Sequence, residues 1–190
     1  MPVVIPDTMI SYGMGPKKLC EDLNGDGFPL ELADAKKLYY KYCDTLSTSV
    51  NFLRSSGKLA YEQGYLSNIN GRRRYWNKPD PSDYPNGMRD EKFQAKKGAI
   101  EREGGNFLIQ SVNADITKQA MIEIRQYAKK NKVRTNFINA VYDEVVTRTH
   151  KDDSPGFHEA KLKIMRDVAE KMVTSVPMLV DGFVGPYWNK

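Results

Sequence analysis

Residues 137–148 read FINAVYDEVVTR. An apolar run ends at Val141, two acids stand side by side at Asp143 and Glu144, and an apolar run resumes at Val145. Two strand-like runs separated by a short polar step make a hairpin, and the hairpin carries both carboxylates at its tip. Adjacent acids repel each other, so stability alone does not select them. A divalent cation would neutralise them, and magnesium suits such a site. It takes one or two carboxylates and completes its shell with water and substrate phosphates. Successive strand residues face opposite ways, so the two acids have different jobs, with Asp143 the expected inner ligand. Taken alone, a Tyr-Asp-Glu turn is also what an ordinary exposed acidic turn looks like.

Helical spacing dominates the rest of the chain. Residues 9–24 start helix-like, with Pro16 tolerable only in a first turn. Leu32, Ala35, Leu38, Tyr39, Tyr42 and Leu46 predict a helix from Glu31 to Leu46. A second helix is expected over about 48–62, with Val50, Leu53 and Leu59 inward and Gly64 as a left-handed cap. GYLSNINGRRRYW (64–76) reads as a hairpin turning at Asn70–Gly71. After a Pro-rich loop (77–88), a long helical region runs from about Glu91 to Lys130, and the Gly104–Gly105 pair is expected to weaken and bend it. Ile109, Val112, Ile116, Ala120, Ile124 and Tyr127 keep its spacing. DSPGF (153–157) predicts a helix start with Ser154 as cap and Pro155 in the first turn. Leu162, Met165, Val168, Ala169 and Met172 mark that helix's inner face. VPMLVDGFVG (176–185) is expected to be a last strand. Helices interleaved with short hairpins give an α+β class.

Composition narrows the partners. The net charge is +5, with much of the excess in GRRRYW (71–76) and EKFQAKKGAIER (91–102). A basic surface favours phosphate backbones, although solvated helix faces and basic turns look the same. No apolar run approaches the roughly 18 residues of a membrane span. The first ten residues lack a signal peptide's basic and apolar regions, and two cysteines make no disulfide framework. An intracellular protein with reduced thiols is the expectation. DLNGDG (22–27) opens like a calcium loop, but Ala33 stands where the bidentate glutamate belongs, so it reads as a polar turn between helices.

Five blocks together resemble the family A DNA polymerases, the bacterial polymerase I type and its phage relatives. INAVYDEVV resembles motif C, usually V-H-D-E. GYLSNINGRRRYW is similar to the segment G-Y-V-x-T-x-x-G-R-R-R-Y. EREGGNFLIQSVNADITKQAM (101–121) resembles the long palm helix E-R-x-x-x-N-x-x-x-Q-G-x-x-A-D. ISYGMGPKKL (10–19) resembles the second half of the fingers helix at L-Y-G-M, and VGPYWNK (184–190) the G-x-x-W ending. The blocks occur in family order over residues 9–190.

The resemblance implies roles at matching positions. Asp143 would be a catalytic metal ligand, with magnesium as the ion, and Glu144 its weaker neighbour. Tyr12 would stack on the template side of the insertion site. Arg102, Asn106 and Gln110 would contact the minor groove of a primer–template. Their offsets of four also put them on one helix face, where a guanidinium and two amides can donate to acceptors that every base pair presents. Arg72, Arg73 and Arg74 would contact phosphates, which position DNA rather than specify sequence. Tyr142 replaces the usual histidine and can still donate to a primer base or sugar. Ser111 stands where glycine is usual.

The family's other catalytic aspartate lies in motif A, upstream of everything that matches here. The stretch MPVVIPDT carries none of the basic residues that hold a dNTP triphosphate, and Thr8 stands where a nucleotide-facing aromatic is usual. The expectation is therefore a partial fingers subdomain (1–63) and a partial palm (64–190): helical fingers plus an incomplete antiparallel palm sheet packed with long helices. It would be one part of a two-metal, template-directed DNA polymerase, as a split subunit or a fragment. An upstream polymerase chain would supply motif A, and the isolated chain would be inactive. The implied setting is the cytoplasm of a bacterium or an infected host cell. Two alternatives are a non-catalytic DNA-binding or scaffold subunit and a single-subunit RNA polymerase relative. Glu144 argues against the second, whose motif C usually reads H-D-S.

Overall fold

A computed structural model describes residues 13–188. The expected roles of Tyr12 and Thr8 lie outside the described residues. The chain divides into two compact units, 1–109 and 110–190. It is α+β and rich in helix, and the described residues form two separate two-stranded antiparallel sheets.

In the first unit, α1 spans Pro16–Gly25, α2 Leu32–Thr45 and α3 Ser47–Gln63. Pro16 occupies the opening turn of α1, where a missing N–H costs nothing. The polar turn after α1 is closed by Asn24, whose Oδ1 accepts from Leu30 N at 2.7 Å while its Nδ2 donates to Leu30 O at 3.1 Å. Gly64 ends α3 at φ 77°, as a left-handed cap requires. Strands β1 (Tyr65–Ser67) and β2 (Arg73–Tyr75) follow. Their turn differs slightly from expectation. Gly71 N donates to Asn68 O at 3.0 Å, so Ile69 and Asn70 are central and Gly71, at φ 80°, is the left-handed bulge residue. Two short 3-10 turns, Pro81–Asp83 and Gly87–Arg89, lead to α4, Glu91–Lys130.

Helix α4 runs unbroken through Gly104–Gly105, and the crossing with α3 explains the glycines. A Cβ on Gly104 would overlap the Ala60 methyl, one on Gly105 would stand 2.8 Å from Leu53 O, and one on Gly57 would overlap the Glu101 carbonyl. Backbone meets backbone there, on three glycines. This also corrects the expected inner face of α3. Leu59 is exposed, while Ser56, Gly57 and Ala60 are buried, because a crossing this close admits only small side chains. Leu66, Ile100 and Phe107 pack beside Ala60, and Leu19, Leu23, Cys43 and Val50 form a second cluster among α1, α2 and α3.

The second unit holds the rest of α4, then β3 (Thr135–Val141), β4 (Glu144–Thr149) and α5 (Ser154–Met172). Ala120, Ile124 and Ala128 of α4, Val145 of β4, and Phe157 and Val168 of α5 form its core. Ile109, expected on the inner side of α4, is exposed. The α5 cap is Asp153 rather than Ser154, and its carboxylate makes no capping bond. It is turned instead to Arg134, accepting from Nε and Nη2, each at 2.9 Å. Those bonds hold the carboxyl well below its usual range. The expected last strand is absent: among the described residues, 173–188 form none. A strand needs a partner, and among the described residues β3 and β4 pair only with each other. Pro177 and Pro186 also lack the ladder donor, and Leu179 is 95% exposed.

Candidate functional site

Val141 pairs with Glu144, so the turn has two residues, Tyr142 and Asp143. Tyr142 has φ 54°, and Asp143 is not in the positive-φ region. That combination belongs to the hairpin turn whose first position is normally glycine. A tyrosine there carries strain of order 1–3 kcal/mol, and its side chain is 89% exposed. Below the tip the register shifts between Phe137 and Asn139, leaving Ile138 as an extra residue in β3. A bulge of this kind bends and twists its strand and re-aims what lies beyond it.

The two acids differ in setting, since Asp143 lies in the turn and Glu144 opens β4. Asp143 is exposed and has no hydrogen bond or ion pair among the described residues. Glu144 is half-buried, and its Oε1 accepts from Trp188 Nε1 at 2.7 Å. Beside it, Lys161 of α5 donates to Val145 O at 3.0 Å. Burial pushes the Lys161 ammonium's pKa down, and the negative charge of Glu144 partly opposes that. The tip therefore offers one uncommitted carboxylate and one fixed carboxylate. No group of three or more His, Cys, Asp or Glu that could hold a metal ion occurs among the described residues. A pair of carboxylates fits a hard cation that draws its remaining ligands from water and phosphate.

The other expected residues fall in separate places. Arg102, Asn106 and Gln110 lie along α4, the first and last exposed and Asn106 half-buried. Arg102 and Asn106 line a groove of about 380 Å³ with Tyr39, Arg54, Lys58 and Glu101. The aliphatic stem of Arg102 passes over Gly13, where a Cβ would come within 2.8 Å of it. On the β1–β2 hairpin, Arg73 sits 5.6 Å over the Tyr65 ring and bonds to the Tyr75 side chain. Arg74 pairs with Glu103 and lies 5.3 Å over Trp76, whose Nε1 also donates to Glu103 at 2.9 Å. The loop carrying Arg72 is organised by buried Asn68, whose Oδ1 accepts from Asn70 N and Arg72 N. Asn68, Glu103 and Trp188 had no role in the sequence reading. Asn68, just before an Asn-Gly turn, carried a local signal, and Trp188 stood in the sequence as the last residue of the G-x-x-W ending.

The family model for DNA polymerase family A matches residues 9–190. DNA polymerase I of Bacillus caldotenax is 26% identical over 180 residues, covering 94% of this chain and 18% of that protein. DNA polymerase I of Chloroflexus aurantiacus is 29% identical over 132 residues, covering 68% of this chain and 12% of that protein. The chain thus spans under a fifth of either relative. Among solved structures, the POL domain of Pol1 from M. smegmatis, in complex with DNA primer-template and dNTP, superposes with a TM-score of 0.69. It is 25% identical, and the match covers 85% of this chain and 26% of that one.

Proposed function

This chain belongs to DNA polymerase family A, and from that we propose that it is the fingers-and-palm part of a template-directed DNA polymerase acting in DNA replication. The reaction is attack of a primer 3′-hydroxyl on the α-phosphate of a dNTP, with release of pyrophosphate. The observation that carries this reading is the hairpin tip, with the uncommitted Asp143 next to the anchored Glu144. In this reading residues 1–63 are fingers and 64–190 palm, and the source is a bacterium or a bacteriophage. Primer–template DNA and dNTP are the partners, as in the mycobacterial complex.

Asp143, with Glu144 beside it, would hold Mg2+, which supplies charge neutralisation at the reacting phosphate. Tyr142, exposed at the turn, would meet the primer end. Tyr12 would stack on the template side. Arg102, Asn106 and Gln110 would donate to the minor groove, and Arg72, Arg73 and Arg74 would face phosphates. Two carboxylates on one turn supply one side of a two-metal site, so a second polymerase segment, an upstream chain, would contribute motif A.

The test is primer extension with magnesium. The 190-residue chain alone gives no templated product, and adding the motif A segment of a relative restores it. Clear extension by the chain alone sinks the split-site reading.

The stripe on α4 has its own test in the assembled enzyme. A mispair displaces the minor-groove acceptors, so Gln110→Ala slows correct extension and narrows the gap between matched and mismatched primer ends. Each lost hydrogen bond is worth about 0.5–1.5 kcal/mol. Arg73→Ala instead weakens binding about equally for both ends and flattens the salt dependence. Equal matched-to-mismatched ratios for the two variants would remove the minor-groove role.

A further inference from the structure

The contact between Trp188 and Glu144 joins residues 44 apart in sequence. It reaches from the C-terminal segment, which has no strand to hold it, to the first residue of β4. Trp188 is 49% exposed, so its ring is not there mainly to fill a core. Glu144 is otherwise flanked by a cation, yet the Lys161 ammonium donates to the Val145 carbonyl and the bond to the carboxylate comes from a neutral indole. A neutral donor orients a carboxylate without cancelling its charge. An ammonium in the same place would cancel it. One oxygen of Glu144 is thus fixed, and the other is uncommitted among the described residues. On the other side of the turn bond, Asp143 has no partner among the described residues and the backbone at Tyr142 is strained.

We propose that Trp188 is a positioning residue for the carboxylate pair: its indole N–H fixes Glu144 so that the acid keeps its charge and presents its free oxygen on the same turn as Asp143. This rests on the polymerase reading of the tip. In this role the indole acts through Glu144, whose Oε1 accepts its N–H at 2.7 Å. An N–H fixed against a charged oxygen is among the stronger hydrogen bonds, and its loss lets the glutamate sample other rotamers.

The experiment uses the Trp188→Phe variant, which keeps an aromatic ring and removes the donor, with Trp188→His restoring a ring N–H. The first readout is Mn2+ binding to the 190-residue chain, followed by the electron paramagnetic resonance of free ion. The second is kcat and KM for dNTP in the assembled enzyme. Trp188→Phe weakens Mn2+ binding several-fold and lowers kcat about tenfold, with KM for dNTP little changed, and Trp188→His recovers part of both. In a Glu144→Ala background, Trp188→Phe has no further effect, because coupled residues fail to add.

The proposal is overturned if Trp188→Phe lowers the melting temperature while Mn2+ binding and kcat stay at the parent values, since the indole is then only a fastener. It is equally overturned if the two substitutions add. Should Trp188→Phe not fold, the Glu144→Gln chain decides. That side chain keeps an acceptor for the indole, so the fold survives while Mn2+ binding falls, and collapse of the Glu144→Gln fold would count against the proposal. Asp143→Ala separates this from the underlying reading. If Asp143→Ala leaves Mn2+ binding and extension intact, the tip is not a metal site. If it removes both while Trp188→Phe does nothing, only the positioning role fails.

Discussion

Asp143→Ala in the assembled enzyme should abolish templated extension and leave affinity for primer–template nearly unchanged. The side chain is exposed and has no partner among the described residues, so its removal breaks no contact among them. On the proposed reading, what it removes is charge stabilisation in the transition state. Losses of this type run to about 10²–10³ in rate, or roughly 2.7–4 kcal/mol. Duplex affinity depends mainly on phosphate contacts made elsewhere. Steady-state extension and a filter-binding assay with the same duplex separate the two. A variant retaining more than about a tenth of the parent rate has lost less than about 1.4 kcal/mol, which is too little for a metal ligand. A large loss of binding would instead show that Asp143 supports the fold or the DNA surface.

The second large effect concerns stability and has an unusual sign. In a helix interior, Gly→Ala ordinarily stabilises by about 1 kcal/mol. Gly57→Ala should do the reverse. The added methyl overlaps the Glu101 carbonyl, which is backbone and cannot rotate away. Overpacking costs about 1–3 kcal/mol and sometimes more, and here the sterics outweigh the propensity gain. Thermal unfolding should show a net loss of about 2 kcal/mol, which is a fall of about 4–8 °C for a chain of this size. Gly156→Ala is the control. It lies in the first turn of α5 with nothing within 4 Å of the added carbon, and should be neutral or mildly stabilising. An equal response at both positions would mean that α3 and α4 do not cross as closely as described.

These two residues also mark what the sequence made legible. Asp143 could be placed at a hairpin tip because alternation, apolar flanks and paired acids are all local. The bounds of α4 and the Gly64 cap were readable for the same reason. Gly57 was not, since in one dimension it is merely a weak helix residue, and Leu59 looked like the better candidate for the inner face. Only the crossing helix shows that the contact surface is backbone. The strand expected at 176–185 failed for a related reason, because apolar composition reports a wish for burial and not the presence of a partner edge. Asp153 rather than Ser154 stands at the α5 cap, and its carboxylate makes no capping bond because Arg134, nineteen residues upstream, holds it. The reach from Trp188 to Glu144 spans 44 residues and leaves no periodic trace. Local chemistry was visible in the chain, whereas contacts made by folding distant segments together were not.

The turn at Tyr142 has a consequence for recognition kinetics. A glycine at that position would relax the backbone and leave the tip free to wander. The tyrosine instead sits on a stiff two-residue turn, its ring projecting into solvent from a fixed base. Much of the disorder that a flexible loop gives up when it meets a ligand is already absent. Whatever the ring contacts is therefore met by a preorganised side chain with two rotatable torsions, and ordering costs about 0.5–1.5 kcal/mol for each immobilised flexible side chain. Rigidity of this kind shows itself mainly in how slowly a complex separates. On the proposed reading, in which Tyr142 meets the primer end, the stiffness of this turn would lengthen the residence time of the primer at the tip.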